Sequence, residues 1–261
     1  MKPADFYPPL LINDSFQNRK AYNIPKAQLV IADIPYNVGT NAYGSNPSWY
    51  EGGDRRNGES DKAAKSFFYS DGYFNLAEMM HFVSRMLVRE PKERGKAPAM
   101  IIFCSFQQQT PLIDLAQQHG FANYIPLVFI KKTSPQVLKA NMRIVGATEY
   151  ALLFYRDKLP KFRGGGHMVL NWQHWVTDST PVVHPTQKPV PVLMRLIETL
   201  TDPGDVVIDP CAGSGTTLLA AARLRRRAFG FEINRDIYRA AVDSVLSEIQ
   251  PSLDFAGLEA S

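Results

Sequence analysis

Residues 205–217 read Asp205-Val-Val-Ile-Asp-Pro-Cys-Ala-Gly-Ser-Gly-Thr-Thr217, and this run limits the folds open to the chain more than any other. A buried strand ends at Asp209, a glycine-rich turn follows, and an Ala/Leu-rich helix begins near Thr216. Gly213 and Gly215 let the backbone approach a ligand closely and present N–H groups at the helix start. A second strand, over 228–233, carries Glu232 near its end, where an acid suits a bidentate grip on ribose hydroxyls. Strand, turn, helix, strand and acid in that order predict a nucleoside pocket on an α/β sheet; an ordinary tight turn with a solvated Glu beyond it is the alternative. The turn lacks the third glycine of the dinucleotide fingerprint, and the chain has no Gly-Lys-Ser/Thr phosphate loop. A nucleoside without a pyrophosphate, such as S-adenosylmethionine, fits such a turn better than NAD or ATP.

The rest of the chain keeps the same rhythm. Short apolar runs alternate with helical patterns, as in a mostly parallel, twisted sheet with helices on both faces. The pattern predicts strands over 28–32, 99–103, 125–130, 149–155, 205–208 and 228–233. Leu76, Met80, Val83 and Leu87 share one helix face, and so do Ile237, Ala241, Val245 and Ile249. Pro189 and Pro191 open a third helix, whose apolar face holds Val192, Leu193, Leu196, Ile197 and Leu200. With 261 residues, 45% of them hydrophobic, the chain suffices for one substantial domain. That domain is expected over 1–249, with insertions at about 37–66 and 132–183 and a loose tail over 250–261. No apolar run approaches the ~20 residues of a membrane span, and the first ten residues do not read as a signal peptide. Cys104 and Cys211 lack metal-ligand spacing, so no zinc site and a reducing, cytoplasmic setting are expected. The five histidines show no ligand spacing either.

A further buried run, over 29–32, ends in Asp33-Ile-Pro-Tyr36. These four residues suit methylation of an exocyclic base amine, a poor nucleophile because its lone pair is delocalised into the ring. Two acceptors for its N–H protons favour a tetrahedral nitrogen and aim the lone pair at a methyl donor. Asp33 can supply a side-chain acceptor and Ile34 a backbone carbonyl. Pro35 biases Ile34 towards an extended conformation, and Tyr36 offers a flat face for an extruded base. The same tetrapeptide also suits a plain proline turn with Tyr36 packed on the core.

Together with His184-Pro-Thr-Gln-Lys-Pro189 and Gly230-Phe-Glu-Ile-Asn234, these segments resemble the amino-methyltransferases that act on DNA, with their D/N/S-P-P-Y/F/W, HPTxKP, DPFxGSGTT and GxE motifs. The catalytic motif precedes the cofactor motif, an order similar to the β group of that family. The resemblance implies a Rossmann-like methyltransferase fold with permuted motif order. It makes Asp33, Ile34, Pro35 and Tyr36 the catalytic segment. It also assigns S-adenosylmethionine to Asp33, Asp209, Cys211, Ala212, Gly213, Gly215, Thr216, Glu232 and Asn234, with Thr186 and Lys188 beside the carboxylate end. Asp14 is similar to an acid that precedes the catalytic strand in many members, although it reads equally well as a turn cap. The chain departs from the pattern at Ile34, where a first proline is usual, and at Cys211, where a phenylalanine is usual.

The resemblance implies DNA as partner, base flipping, adenine N6 as the amine and a setting in restriction–modification. Cytosine N4 and a relative without turnover are the alternatives; Asp33 favours adenine, since cytosine-N4 members more often have serine there. A homodimer is possible, as in many β-group relatives. The net charge of +4 is compatible with DNA without requiring it. Candidate DNA contacts are Arg55 and Arg56 in the first insertion, where a solvated loop is the alternative, then Lys131, Lys132, Lys139, Arg143, Lys161, Arg163 and Trp175. Lys158 belongs to the same basic stretch. Arg223, Arg225, Arg226 and Arg227 close a helix, where cations complement its dipole, and are read as structural.

Overall fold

The computed structural model describes residues 7–36, 74–132, 146–163, 168–183 and 186–249. Eight strands form one sheet: β1 (Leu10–Ile12), β2 (Leu29–Asp33), β3 (Ala99–Cys104), β4 (Asn123–Ile130), β5 (Thr148–Tyr155), β6 (Trp172–His174), β7 (Val206–Asp209) and β8 (Arg227–Phe231). Their order across the sheet is β1-β8-β7-β2-β3-β5-β4-β6. Every pairing is parallel except those of β5, which runs antiparallel to both β3 and β4.

The side-chain period of a strand explains why the sheet is covered on both faces. Leu29 and Ile31 of β2, with Ala99, Ile101 and Phe103 of β3, pack with α3 (Val190–Leu200) and α4 (Thr216–Arg223). Their sequence neighbours Val30, Ala32, Met100, Ile102 and Cys104 pack on the opposite side with α1 (Leu76–Met86) and α2 (Gln109–Gln118). Each Leu, Ile, Val, Met or Phe side chain so enclosed contributes about 1.5–3 kcal/mol relative to exposure. Asn75 starts α1 by accepting from the amides of Ala77 and Glu78, and Pro189 precedes α3 as read from the sequence. Of the expected face Ile237, Ala241, Val245 and Ile249, the last three pack on the core, but not from one α-helix. After α5 (Arg235–Ala240) a π turn covers Ala241–Val245 and a 3-10 turn covers Ser247–Ile249.

The chain lays β3 on one side of β2 and returns to lay β7 and β8 on the other. Sheet order reverses between β2 and β7, where open α/β sheets bind ligands beyond the carboxyl ends of their strands. Leu29 pairs with Val207 and Val30 with Ile208, so Asp33 and Asp209 end neighbouring parallel strands. The antiparallel course of β5 brings its first residues to this same edge.

Candidate active site

The glycine turn after β7 is held from within. Cys211 N–H donates to Asp209 Oδ1 at 3.0 Å, and Gly213 N–H donates to Glu232 Oε2 at 3.0 Å. Asn234 N–H donates to Glu232 Oε1 at 2.7 Å. The Glu232 carboxylate thus ties the turn to the loop after β8, with a lone pair on each oxygen left to face a ligand. Contrary to the expectation from sequence, Gly213 and Gly215 do not offer their N–H groups to a ligand: Gly213 N–H is taken by Glu232, and Gly215 N–H donates to Ala212 O at 2.8 Å. What the two glycines supply is conformation, with φ of +50° and +78°. A Cβ on Gly213 would meet only Cys211 O, at 4.0 Å, so the turn faces open space there. Gly215 lies against Leu246 of the C-terminal turns, and Thr216 is buried beside Ser214. Asp14, by contrast, accepts from Ser15 N–H at 2.7 Å, Asn18 at 2.8 Å and Tyr22 OH at 2.8 Å. It acts in the structure as a turn cap, and those donors hold its carboxyl below the usual range.

Across the switch point, Ile34 is buried and its N–H donates to Phe103 O at 3.4 Å. The Gln108 amide donates to Pro35 O at 2.8 Å, and its carbonyl accepts from Ser105 N–H at 3.1 Å. The chain after β2 is therefore pinned to the corner that precedes α2. Tyr36 OH donates to Glu149 Oε2 at 2.7 Å, which fixes the ring by its far end.

Four charged groups meet here. Lys188 Nζ lies 2.6 Å from Asp33 Oδ2 and 3.9 Å from Glu149 Oε2, while Lys131 bonds Glu149 Oε1. Lys131 Nζ stands 4.8 Å from the centre of the Trp175 ring, which packs edge-on against Phe129. Burial alone would raise Glu149, but Lys188 and Lys131 outweigh it and hold its carboxyl below the usual range. Burial would likewise lower Lys188; Asp33 and Glu149 overcome it and keep the ammonium charged. Asp33 is raised by burial, with Lys188 pulling part of the way back. Asp209 is pushed up to about 7, by burial first and then by the neighbouring Asp33 and Glu232 charges. Asp33 and Glu232 lie close enough to Asp209 to act on it, and such a cluster of carboxyls suits a cationic ligand, of which a sulfonium is one.

Of the residues singled out from sequence, Asp33, Ile34, Pro35, Tyr36, Lys131, Trp175, Lys188, Asp209, Glu232 and the glycine turn share this edge. Thr186 presents its carbonyl to Lys188 at 3.4 Å, and Asn234 caps α5 through its side chain. Lys132 is exposed just beyond β4. Arg55, Arg56, Lys139 and Arg143 lie outside the described residues, as do the whole of 37–66 and the tail from 250. Lys161 and Arg163 require correction. Lys161 bridges Asp202 at 2.6 Å and Asp205 at 2.7 Å, and Arg163 pairs with Asp202. These acids precede β7, at the opposite edge of the sheet, so both charges are neutralised far from the pocket. Arg226 is structural, as expected: buried, it donates to Thr201 O at 2.6 Å and Thr201 Oγ1 at 2.9 Å. Glu149 and Gln108 were not among the site residues chosen from sequence. An acid opening an otherwise apolar strand was the available signal for Glu149; Gln108 left none.

The chain matches the family model described as DNA methylase, of the N6/N4 methyltransferases, over residues 27–243. Among curated relatives, DNA adenine methyltransferase YhdJ of Escherichia coli is 26% identical over 259 residues, covering 87% of this chain and 79% of YhdJ. Type II methyltransferase M.HindIII of Haemophilus influenzae is 44% identical over 68 residues, 26% of this chain and only 22% of M.HindIII. The M1.HpyAVI–SAM complex shares the fold with a TM-score of 0.63 at 20% identity, over 90% of this chain and 98% of the other. The cytosine-N4-specific PvuII DNA methyltransferase shares it with a TM-score of 0.60 at 16% identity, over 94% of each chain. A match spanning nearly all of the sheet, on a Rossmann-like fold with the motif acids at adjoining strand ends, makes the chain a member of the N6/N4 DNA methylase family.

Proposed function

We propose that this chain transfers the methyl group of S-adenosylmethionine to N6 of adenine in DNA. The observation that carries the reading is the adjacency of Asp33 and the glycine turn across the switch point, with Asp33 and Glu232 both close enough to act on Asp209. The cofactor supplies an electrophilic methyl group. Glu232 and Asp209 hold its nucleoside and cationic parts by charge and by hydrogen bonding. Asp33 accepts one N–H of the target amine and the Ile34 carbonyl the other, which frees the nitrogen lone pair for attack. Tyr36, anchored by Glu149, gives a rigid face for the base to stack on. A base within a duplex cannot reach a pocket at the rim of a sheet, so the target nucleotide is flipped out. Lys132, exposed at the same edge, meets backbone phosphate.

Adenine is favoured over cytosine because the acceptor is Asp33, and the similarity to an adenine methyltransferase over most of the chain supports the same choice. Incubation of unmodified DNA with the protein and labelled cofactor, then nucleoside mass spectrometry, tests the reading. N6-methyladenine is expected; N4-methylcytosine reassigns the base, and no methylated nucleoside makes the chain a binding protein. Asp33→Ala is expected to abolish transfer even at saturating cofactor, and transfer near the wild-type rate overturns the role given to Asp33.

A further inference from the structure

We propose that Lys188 is a resident stand-in for the target amine, and that Glu149 is the second seat to which it moves when a base enters. The proposal rests on the reading that Asp33 receives the amine. The ammonium is 2.6 Å from Asp33 and 3.9 Å from Glu149, and its side chain is only 4% exposed. A shift of about an ångström brings Lys188 within hydrogen-bonding distance of the second acid.

A buried carboxylate without a partner takes up a proton and then donates where it should accept. Lys188 opposes this at Asp33 in the absence of a base. Yet an ammonium on Asp33 Oδ2 takes up one of its oxygens and offsets the charge that polarises the incoming N–H groups, so its withdrawal strengthens the activation of the amine. Glu149 is suited to receive it. Tyr36 OH and Lys131 fix its carboxylate, and its oxygens offer about four acceptor sites, enough for Lys188 as well. The charges facing Lys188 come from β2, β5 and β7 (Asp33, Glu149 and Asp209), and Lys131 balances Glu149 from the end of β4. A neutral base adds no charge, so the hand-over leaves the buried total unchanged. Glu149 in this scheme is a positioning residue, acting through Lys188 and Tyr36.

The test compares full-length wild type, Glu149→Gln, Glu149→Asp and the double variant Glu149→Gln/Lys188→Met, at saturating cofactor and duplex DNA. Gln keeps a carbonyl acceptor for Tyr36 but lacks the charge that would hold an ammonium. Glu149→Gln is therefore expected to lose about tenfold or more in kcat/KM for DNA, with cofactor affinity within about twofold by calorimetry. Glu149→Asp, which keeps the charge, is expected to exceed Glu149→Gln by about fivefold or more. Removing the stranded ammonium should then help: the double variant should outpace Glu149→Gln, most clearly at alkaline pH, where a raised Asp33 regains its charge. A purely structural Glu149 predicts the reverse order. Wild-type kcat/KM in Glu149→Gln, or a double variant slower than the single one, overturns the hand-over, and the Asp–Gln contrast decides if the double variant does not fold. Wild type that methylates no amine overturns the underlying reading instead.

Discussion

Asp209 shows how one residue can tie the fold to the chemistry. Its carboxyl is buried and pushed up to about 7, against an ordinary 3.8. Between those two pH values the folded chain holds a proton that the unfolded chain has released, so stability falls as pH rises through the window and levels off above about 7. Asp209→Asn keeps an acceptor for Cys211 N–H and removes the ionisation. Its stability relative to cofactor-free wild type should therefore grow from pH 4 to pH 7, by about 4 kcal/mol at most. Denaturant titrations at several pH values measure this, and parallel profiles would refute it. Asp33, Asp209 and Glu232 were legible in the sequence because each ends an apolar run and follows the strand period. Glu149 was not, because its importance comes from Lys188 and Lys131, both distant in sequence and brought near only by the antiparallel turn of β5. The internal use of the Gly213 N–H was illegible for the same reason: its acceptor belongs to the neighbouring strand.

At the scale of elements, the site depends on how closely neighbouring pieces approach. Gly230 sits in β8 where a Cβ would come 2.8 Å from Leu218 Cδ1 and 2.9 Å from Ala212 Cβ. Gly230→Ala forces the glycine turn away from the sheet, at a cost of about 1–3 kcal/mol. Cofactor affinity should fall about tenfold or more while transfer at saturating cofactor falls less, since the amine side is untouched. Calorimetry alongside kinetics separates the two effects. Gln108 has the opposite influence. It joins the corner before α2 to Pro35, and Gln108→Leu should lower kcat about tenfold while the loss of stability stays within about 1–3 kcal/mol. An unchanged kcat would show that the 34–36 segment holds itself. The six longer strands and the helices with strong apolar faces were readable from periodicity. β1 and β6 were missed because three residues contain too little pattern, and β1 follows Pro8 and Pro9. The π turn after α5 was hidden because it preserves the apolar face while changing the backbone.

For the whole molecule, the polarity of the sheet decides which charges can meet DNA. The carboxyl ends of β2, β3, β4, β7 and β8 all point to one rim, and the pocket lies there. Basic residues counted along the sequence do not reveal this, which is why Lys161 and Arg163 looked equivalent to Lys131 and Lys132. In space, Lys161 follows Pro160, which bridges to Ala97 ahead of β3, and it is clamped by Asp202 and Asp205. Lys132, although only two residues past β4, stands exposed at the active rim. Two variants therefore separate along perpendicular axes. Lys161→Ala should leave the salt dependence of DNA binding unchanged and destabilise the chain by about 1 kcal/mol, visible as a lower melting temperature. Lys132→Ala should leave the melting temperature unchanged and reduce the slope of log affinity against log salt by about 0.9, the value for one lost phosphate contact. If the slope falls for Lys161→Ala instead, DNA crosses the opposite rim, and the flipped base would have to reach Asp33 through the width of the sheet.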